Sequence, residues 1–361
     1  MCGALVNAGF WRGRRVLITG HTGFKGGWLA LWLDSLGAQV HGFSLAPPTE
    51  PNFFTAAQVG EGLAGHTIGD IRDLGQLTHA MQTAAPEIVL HLAAQPLVRA
   101  SYVDPVQTYG TNVLGTVHVL EAVRRCSSVR AIVNVTTDKV YENREWVWPY
   151  RESDPVGGHD PYASSKACAE LVTSAYRRSF LSESGVAIAT ARAGNVIGGG
   201  DWAADRLLPD FFRAAQSRSP MQVRHPQAIR PWQHVLEPLR GYLLLAEQLL
   251  EQGQAAAEAW NFGPSEEDAR SVHWLLSHLV TLMPGTSWEQ LDAENAHEAA
   301  TLKLDSAKAR SRLKWRPRWS LTEALDKTVE WHLAWAGGAQ MRGASLRQIA
   351  AHQEALEDRV P

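Results

Sequence analysis

Cysteine is scarce, with three among 361 residues, at Cys2, Cys126 and Cys168. They form no C-x-x-C pair and no metal-ligand spacing, and their odd number argues against a disulfide framework, so a reducing compartment is the simpler expectation. No unbroken apolar run reaches the roughly 18 residues of a membrane span. Neither sign of charge dominates: 34 Lys plus Arg stand against 37 Asp plus Glu, a formal net charge of −3. That balance offers no basic stripe to nucleic acid and no lysine run to an anionic membrane. The N-terminal MCGALVNAGFWRGRR carries its basic residues after a short, mildly apolar stretch, the reverse of a secretory signal, and a cytoplasmic protein is expected. The 14 histidines show no H-x-x-x-H or other clustered pattern, so no metal site is expected. What the chain does have is length, 361 residues with 45% of them apolar, which suggests two domains or one large α/β unit with an appended lobe.

Short apolar runs at Arg15–Thr19, Val40–Phe43, Ile88–Leu92, Ala131–Val135 and Val186–Ala191 alternate with helical patterns. One pattern runs through Trp28, Leu29, Leu31, Trp32 and Leu36 to a stop at Gly37; others lie near 74–84, 106–125 and 161–182. This βαβα order predicts an α/β fold with a Rossmann-type, doubly wound parallel sheet over residues 1–193, whose ligands collect at the strand C-termini. After residue 193 loop-rich stretches take over, with helices near 205–216, 233–252, 271–283 and 321–336. They predict a smaller C-terminal substrate-binding lobe over 194–336, with part of 229–262 returning to the first domain. From Gly337 the chain turns polar and helix-prone, its apolar residues thinning to Leu346, Ile349 and Leu356, and 337–361 reads as an arm or frayed tail. The i, i+4 tryptophans Trp28, Trp32, Trp331 and Trp335 mark core-facing stripes, while Trp146, Trp148, Trp202, Trp232 and Trp260 fall in loops that could shape a pocket.

The first strand runs into TGHTGFKG, with Gly20, Gly23 and Gly26 at the mouth of a helix. Glycines there permit a tight turn and close approach of a pyrophosphate, and the helix N-terminus attracts its charge. The second strand ends at Ser44 with no carboxylate until Glu50, a departure from the usual ribose-binding acid. No Lys or Arg occurs between Gly26 and Ile71, however, so NAD is favoured over NADP, with Lys25 the one cation against it. Asp70 in GDIRD either meets the adenine or caps a turn.

The fifth strand ends in Thr136, Thr137, Asp138 and Lys139, and Tyr162-x-x-x-Lys166 follows on a helix after Pro161. Residues four apart share a helix face, so Lys166 can lie beside the cofactor ribose and lower the Tyr162 phenol pKa. A tyrosinate so poised takes a proton from a sugar hydroxyl while hydride leaves the same carbon.

TGHTGFKG, LAAQPLVRASY, TTDKVYEN, PYASSKACAE, RAGNVIGGGDW and RPWQHVLEPL together resemble the extended short-chain dehydrogenase/reductases of nucleotide-sugar metabolism, the NAD-dependent epimerase/dehydratase family, over about residues 10 to 335. The resemblance places the hydroxyl, tyrosine and lysine triad on Thr137, Tyr162 and Lys166. It implies NAD contacts at Gly20, Thr22, Gly23, Phe24, Gly26, Ser44, Asp70, Ile71, Leu92, Ala93 and Ala94. Asp138 followed by Lys139 is the pair associated with the branch that dehydrates CDP-glucose at C4 and C6. By that likeness Asp138 protonates the departing C6 hydroxyl and Lys139 takes the C5 proton, with Glu142 the runner-up base. Family order points to Asn195 and Arg230 for the diphosphate, with His234 four residues on, and to Arg206, Arg99 and Gln95 as further substrate contacts. A homodimer or dimer of dimers through the helices near 106–125 and 161–182 is implied as well. A 4-epimerase, a dehydratase for another nucleotide and a non-catalytic NAD-binding regulator remain the alternatives.

Overall fold

Seven parallel strands form the central sheet of the computed structural model, which describes residues 4–291 and 301–355. Cys2, Leu356 and the rest of the expected tail beyond residue 355 lie outside the described residues. Across the sheet the order is Ala259–Phe262, Ala187–Ala193, Ala131–Val135, Ile88–His91, Arg15–Thr19, Gln39–Ser44 and Gly65–Ile68. The strands from Ile88, Ala131 and Ala187 are buried at every residue, as a sheet covered on both faces requires. Arg15–Thr19 and Ile88–His91 run parallel, but the progression of strand order reverses between them, which opens a crevice at their C-terminal ends.

One face of the sheet packs Trp11, Trp28, Trp32 and the helix Leu236–Gln252; the other packs Leu77, Met81, Val119 and Leu120. Caps set the helix starts that matter for the site. Asp160 accepts from Ala163 N at 2.8 Å and Pro161 occupies the first turn, so the helix Pro161–Tyr176 begins one residue before Tyr162. The strand Ala259–Phe262 pairs with Ala187–Ala193, which brings the chain after the helix Leu236–Gln252 back to the central sheet. A separate lobe core gathers Phe211, Phe212, Leu275, Leu279 and Leu325.

The stretch after Gly337 is helical, as expected, but it is docked rather than a frayed arm: the helix Met341–Glu354 packs against Phe24–Ser35 and Leu321–Ala336. Its inward face is largely polar, which is why hydropathy conceals the docking: Ser345 accepts from Trp331 Nε1 at 2.9 Å, and His352 Nε2 lies 3.0 Å from Glu237 Oε1 with both side chains fully buried.

Candidate active site

A cavity of ≈ 1130 Å³ runs from the glycine loop, past the end of the strand Ala131–Val135, into the lobe. It exceeds the usual volume for one small ligand and has room for a dinucleotide beside a second molecule. At the loop end Gly20 has φ +83°, and a Cβ there would stand 2.8 Å from Ala93 N; a Cβ on Gly26 would stand 2.1 Å from Gly20 O. Only glycine lets this loop close onto both the neighbouring strand end and its own helix. Gly23 caps the helix Phe24–Ser35 without a side chain, so the first N–H groups remain available to an anion. The cradle fits a pyrophosphate on these grounds alone.

Thr22 Oγ1 lies 2.8 Å from Ser44 Oγ and donates to Leu45 O at 2.8 Å, locking the loop to the second strand. Leu92, Ala93, Ala94, Phe24, Asp70 and Ile71 also line this end. Asp70 behaves as a turn residue, accepting from Arg72 N at 2.9 Å while its carboxylate takes the Arg72 guanidinium, which lowers its pKa. Arg72 also lines the cavity, one position past the cation-free stretch, but its charge is matched by Asp70. Lys25, the cation weighed against NAD, is directed to the other end: Nζ donates to Tyr242 OH at 3.2 Å. Burial, then Arg206 and Lys166, brings its pKa down to about 7.

At the middle of the cavity the wall contains Thr137, Asp138, Lys139, Tyr162 and Lys166. Thr137 caps a single turn, Asp138–Val140, that projects the next two side chains from the strand end. Thr137 Oγ1 donates to Asp138 Oδ1 at 3.0 Å, and Asp138 is 2% exposed. Burial raises the Asp138 pKa against the opposing pull of Lys139, Thr137, Arg230 and Lys25. Burial likewise raises Tyr162 to about 12, opposed by its hydrogen bond with Thr137 and by the charge of Arg206. The expected lowering of the Tyr162 pKa by Lys166 is not found: burial raises the phenol, and Lys166 Nζ instead donates to Val135 O at 3.1 Å, with burial lowering its own pKa to about 8. Glu142 is not part of the wall; it pairs at 3.2 Å with His159, which is.

Sequence reasoning missed the group that anchors this strand end. Glu170, buried on the same helix as Tyr162, accepts from Thr136 Oγ1 at 2.6 Å and Thr190 Oγ1 at 2.7 Å and pairs with Arg192 at 2.9 Å. Its i+4 spacing from Lys166 was the available signal.

On the lobe side Asn195, Arg99, Arg206 and Arg230 line the cavity, and Arg206 is held by Asp201 at 2.8 Å. Gln95 and His234 do not. The Gln95 side chain braces its own turn, donating to Leu97 O and Thr108 and accepting from Leu97 N. His234 is fully buried with its ring edge-on to Trp28 and Trp319. The chain changes partner between Arg230 and His234, from the strand Ala269–Ser271 to Val196–Ile197, and that turns His234 into the core. Trp202 and Trp232 line the cavity, whereas Trp260 is a core residue of the sheet. Among the described residues no group of three or more His, Cys, Asp or Glu side chains could hold a metal ion.

Comparison with known proteins agrees with this architecture. The chain is 51% identical to a CDP-glucose 4,6-dehydratase from Salmonella typhimurium over 97% of this chain and 99% of that protein. It is 26% identical to a dTDP-glucose 4,6-dehydratase from Xanthomonas campestris pv. campestris, covering 93% and 98%. The dTDP-glucose 4,6-dehydratase of Streptomyces venezuelae, solved with NAD bound, superposes with a TM-score of 0.76 at 25% identity, covering 91% and 99%. A UDP-glucose-4-epimerase from Stenotrophomonas maltophila superposes at 0.78 with 23% identity, covering 90% and 100%, so the fold alone does not separate dehydratase from epimerase. The family model described as GDP-mannose 4,6 dehydratase matches residues 17–328, and the chain belongs to that family, within the NAD-dependent epimerase/dehydratase superfamily.

Proposed function

We propose that this protein is a CDP-glucose 4,6-dehydratase, a redox-neutral lyase that forms CDP-4-keto-6-deoxyglucose. The observation that carries the reading is Asp138: a buried carboxyl, pKa raised, in the same wall as Tyr162 and beside Lys139. A 4-epimerase has no hydroxyl to expel and no use for such an acid. NAD would be held with its pyrophosphate on the loop of Gly20, Gly23 and Gly26 and, when bound, would supply the acceptor and donor for the hydride exchanged with the sugar. Tyr162 takes the C4 hydroxyl proton, helped by Thr137 and Arg206. The new C4 ketone acidifies the C5 proton, which Lys139 removes. Asp138 gives its proton to the C6 hydroxyl, which leaves as water, and C5 regains a proton as C6 is reduced. Atoms balance as substrate minus water. Asn195, Arg206 and Arg230 hold the diphosphate, for which a guanidinium fork is suited.

The division near residue 193 then separates a cofactor domain from a substrate lobe. A homodimer is supported by Val103, Val106, Leu114 and Leu171, apolar side chains exposed on helical segments spanning 98–114 and 161–176. Among the described residues no helix is long and apolar enough to cross a membrane, and we place the reaction in the cytoplasm, feeding deoxysugar synthesis such as that of lipopolysaccharide O-antigen. The test is incubation of purified protein with CDP-, UDP-, dTDP- and GDP-glucose, followed by alkali-induced absorbance of a 4-keto-6-deoxy sugar. Conversion of CDP-glucose to its C4 epimer without water loss overturns the reading.

A further inference from the structure

Past Arg206 and Arg230 the cavity continues into the lobe, where Asp205 and Arg224 stand together in its wall. Arg99 Nη1 donates to Asp205 Oδ1 at 3.0 Å, and Arg224 Nη1 lies 3.8 Å from the same oxygen. Oδ2 of Asp205 takes no hydrogen bond among the described residues. Both side chains are open to the cavity, Asp205 at 40% and Arg224 at 24% exposure. Asp205 directly precedes Arg206, whose charge reaches Tyr162. Arg224 follows the lobe strand Met221–Val223. With C4 at Tyr162 and the diphosphate on Arg206 and Arg230, this end of the cavity, with the apolar surface of Leu207, Met221 and Val272, is the part left for the base of a nucleotide sugar.

The two groups have fixed and opposite polarity. An ionised carboxylate only accepts hydrogen bonds and a guanidinium only donates them. Cytosine presents a donor at N4 and acceptors at N3 and O2, whereas uracil and thymine present an acceptor at O4 and a donor at N3–H. A neutral amide could flip to suit either pattern; this pair cannot. We propose that Asp205 and Arg224 select the base: Asp205 Oδ2 accepts from the cytosine N4 amino group, Arg224 donates to N3 and O2, and both oppose uracil and thymine. Arg99 is a positioning residue that holds the carboxylate by its other oxygen. The inference rests on the reading that CDP-glucose is the substrate.

The test compares kcat/KM for CDP-, UDP- and dTDP-glucose and for CDP-glucose dimethylated at N4, which lacks both N4–H donors. For the wild-type protein, a CDP preference of about 100-fold or more is expected. Dimethylation should cost the wild type about 10- to 100-fold. In Asp205→Asn the CDP-to-UDP ratio should fall about 10- to 100-fold and most of the dimethylation penalty should disappear. Arg224→Met should lower the same ratio. A purely structural role would reduce all substrates in proportion and leave the ratios unchanged, which overturns the inference. Wild-type indifference to N4 dimethylation overturns it too, without requiring any variant to fold. If wild-type protein does not distinguish the three nucleotides, the CDP-glucose reading itself is what fails.

Discussion

Thr137 Oγ1 holds Asp138 Oδ1 at 3.0 Å, and Oδ2 of the same carboxyl is buried without a hydrogen-bond partner among the described residues. A buried carboxylate with an unmatched oxygen is costly, so the site favours the protonated form, with Oδ2 the oxygen left to carry the proton. The arrangement suits an acid that must donate to a leaving hydroxyl at neutral pH.

Asp138→Asn removes that proton while keeping the shape. Water loss should slow by about 10²- to 10⁴-fold, while C4 oxidation and its reversal continue. In deuterated water the recovered CDP-glucose should then acquire deuterium at C5, read by mass spectrometry, with little 4-keto-6-deoxy product. Product formation at the wild-type rate would remove Asp138 from the elimination.

Lys139 faces the cavity and Glu142 is engaged by His159, so the two candidate bases are separable. Lys139→Met should suppress deuterium incorporation at C5, and Glu142→Gln should leave it within about twofold of wild type, as for a residue outside the reacting groups. The reverse result would reassign the base to Glu142.

Tyr162→Phe deletes the oxygen that receives the C4 hydroxyl proton. Turnover should drop by at least about 10²-fold. Calorimetric binding of CDP-glucose should survive, because Asn195, Arg206 and Arg230 are untouched. Unimpaired turnover would sink the triad.

Glu247 provides a pH test of stability outside the site. Burial raises its pKa from 4.5 to about 7, against the hydrogen bonds from Asn7 N and Trp11 Nε1 that stabilise the carboxylate. The unfolded chain releases this proton near 4.5 and the folded chain near 7, so folding binds a proton in that window. Stability from this group is full below pH 4.5 and falls as pH rises through 7, by up to about 3 kcal/mol. Glu247→Gln keeps an oxygen for both donors and should raise the melting temperature near pH 8 but not near pH 4.5. An equal shift at both values would contradict the linkage.

Much of the fold was legible in sequence because its determinants are local. The β-branched runs at Arg15–Thr19 and Ala131–Val135, the glycines of TGHTGFKG, and Pro161 before Tyr162 each fix their own backbone, and the alternation of strand and helix implies a parallel sheet covered on both faces. Side-chain direction was not local. His234 and Gln95 matched a motif yet were turned into the core and into a turn by strand pairing and backbone hydrogen bonds remote from the motif itself. The docking of the C-terminal helix was invisible to hydropathy because it is buried through Ser345 and His352, whose partners Trp331 and Glu237 lie 14 and 115 positions away. The sequence by itself determined which groups exist for the chemistry and the order of strand, loop and helix that carries them. Only tertiary structure decided that Lys25 joins the catalytic end, that Lys139 rather than Glu142 faces the cavity, and that Arg99, Arg224 and Asp205 converge. The physical reason is that charge, burial and hydrogen bonding act through space, between residues that the chain itself holds far apart.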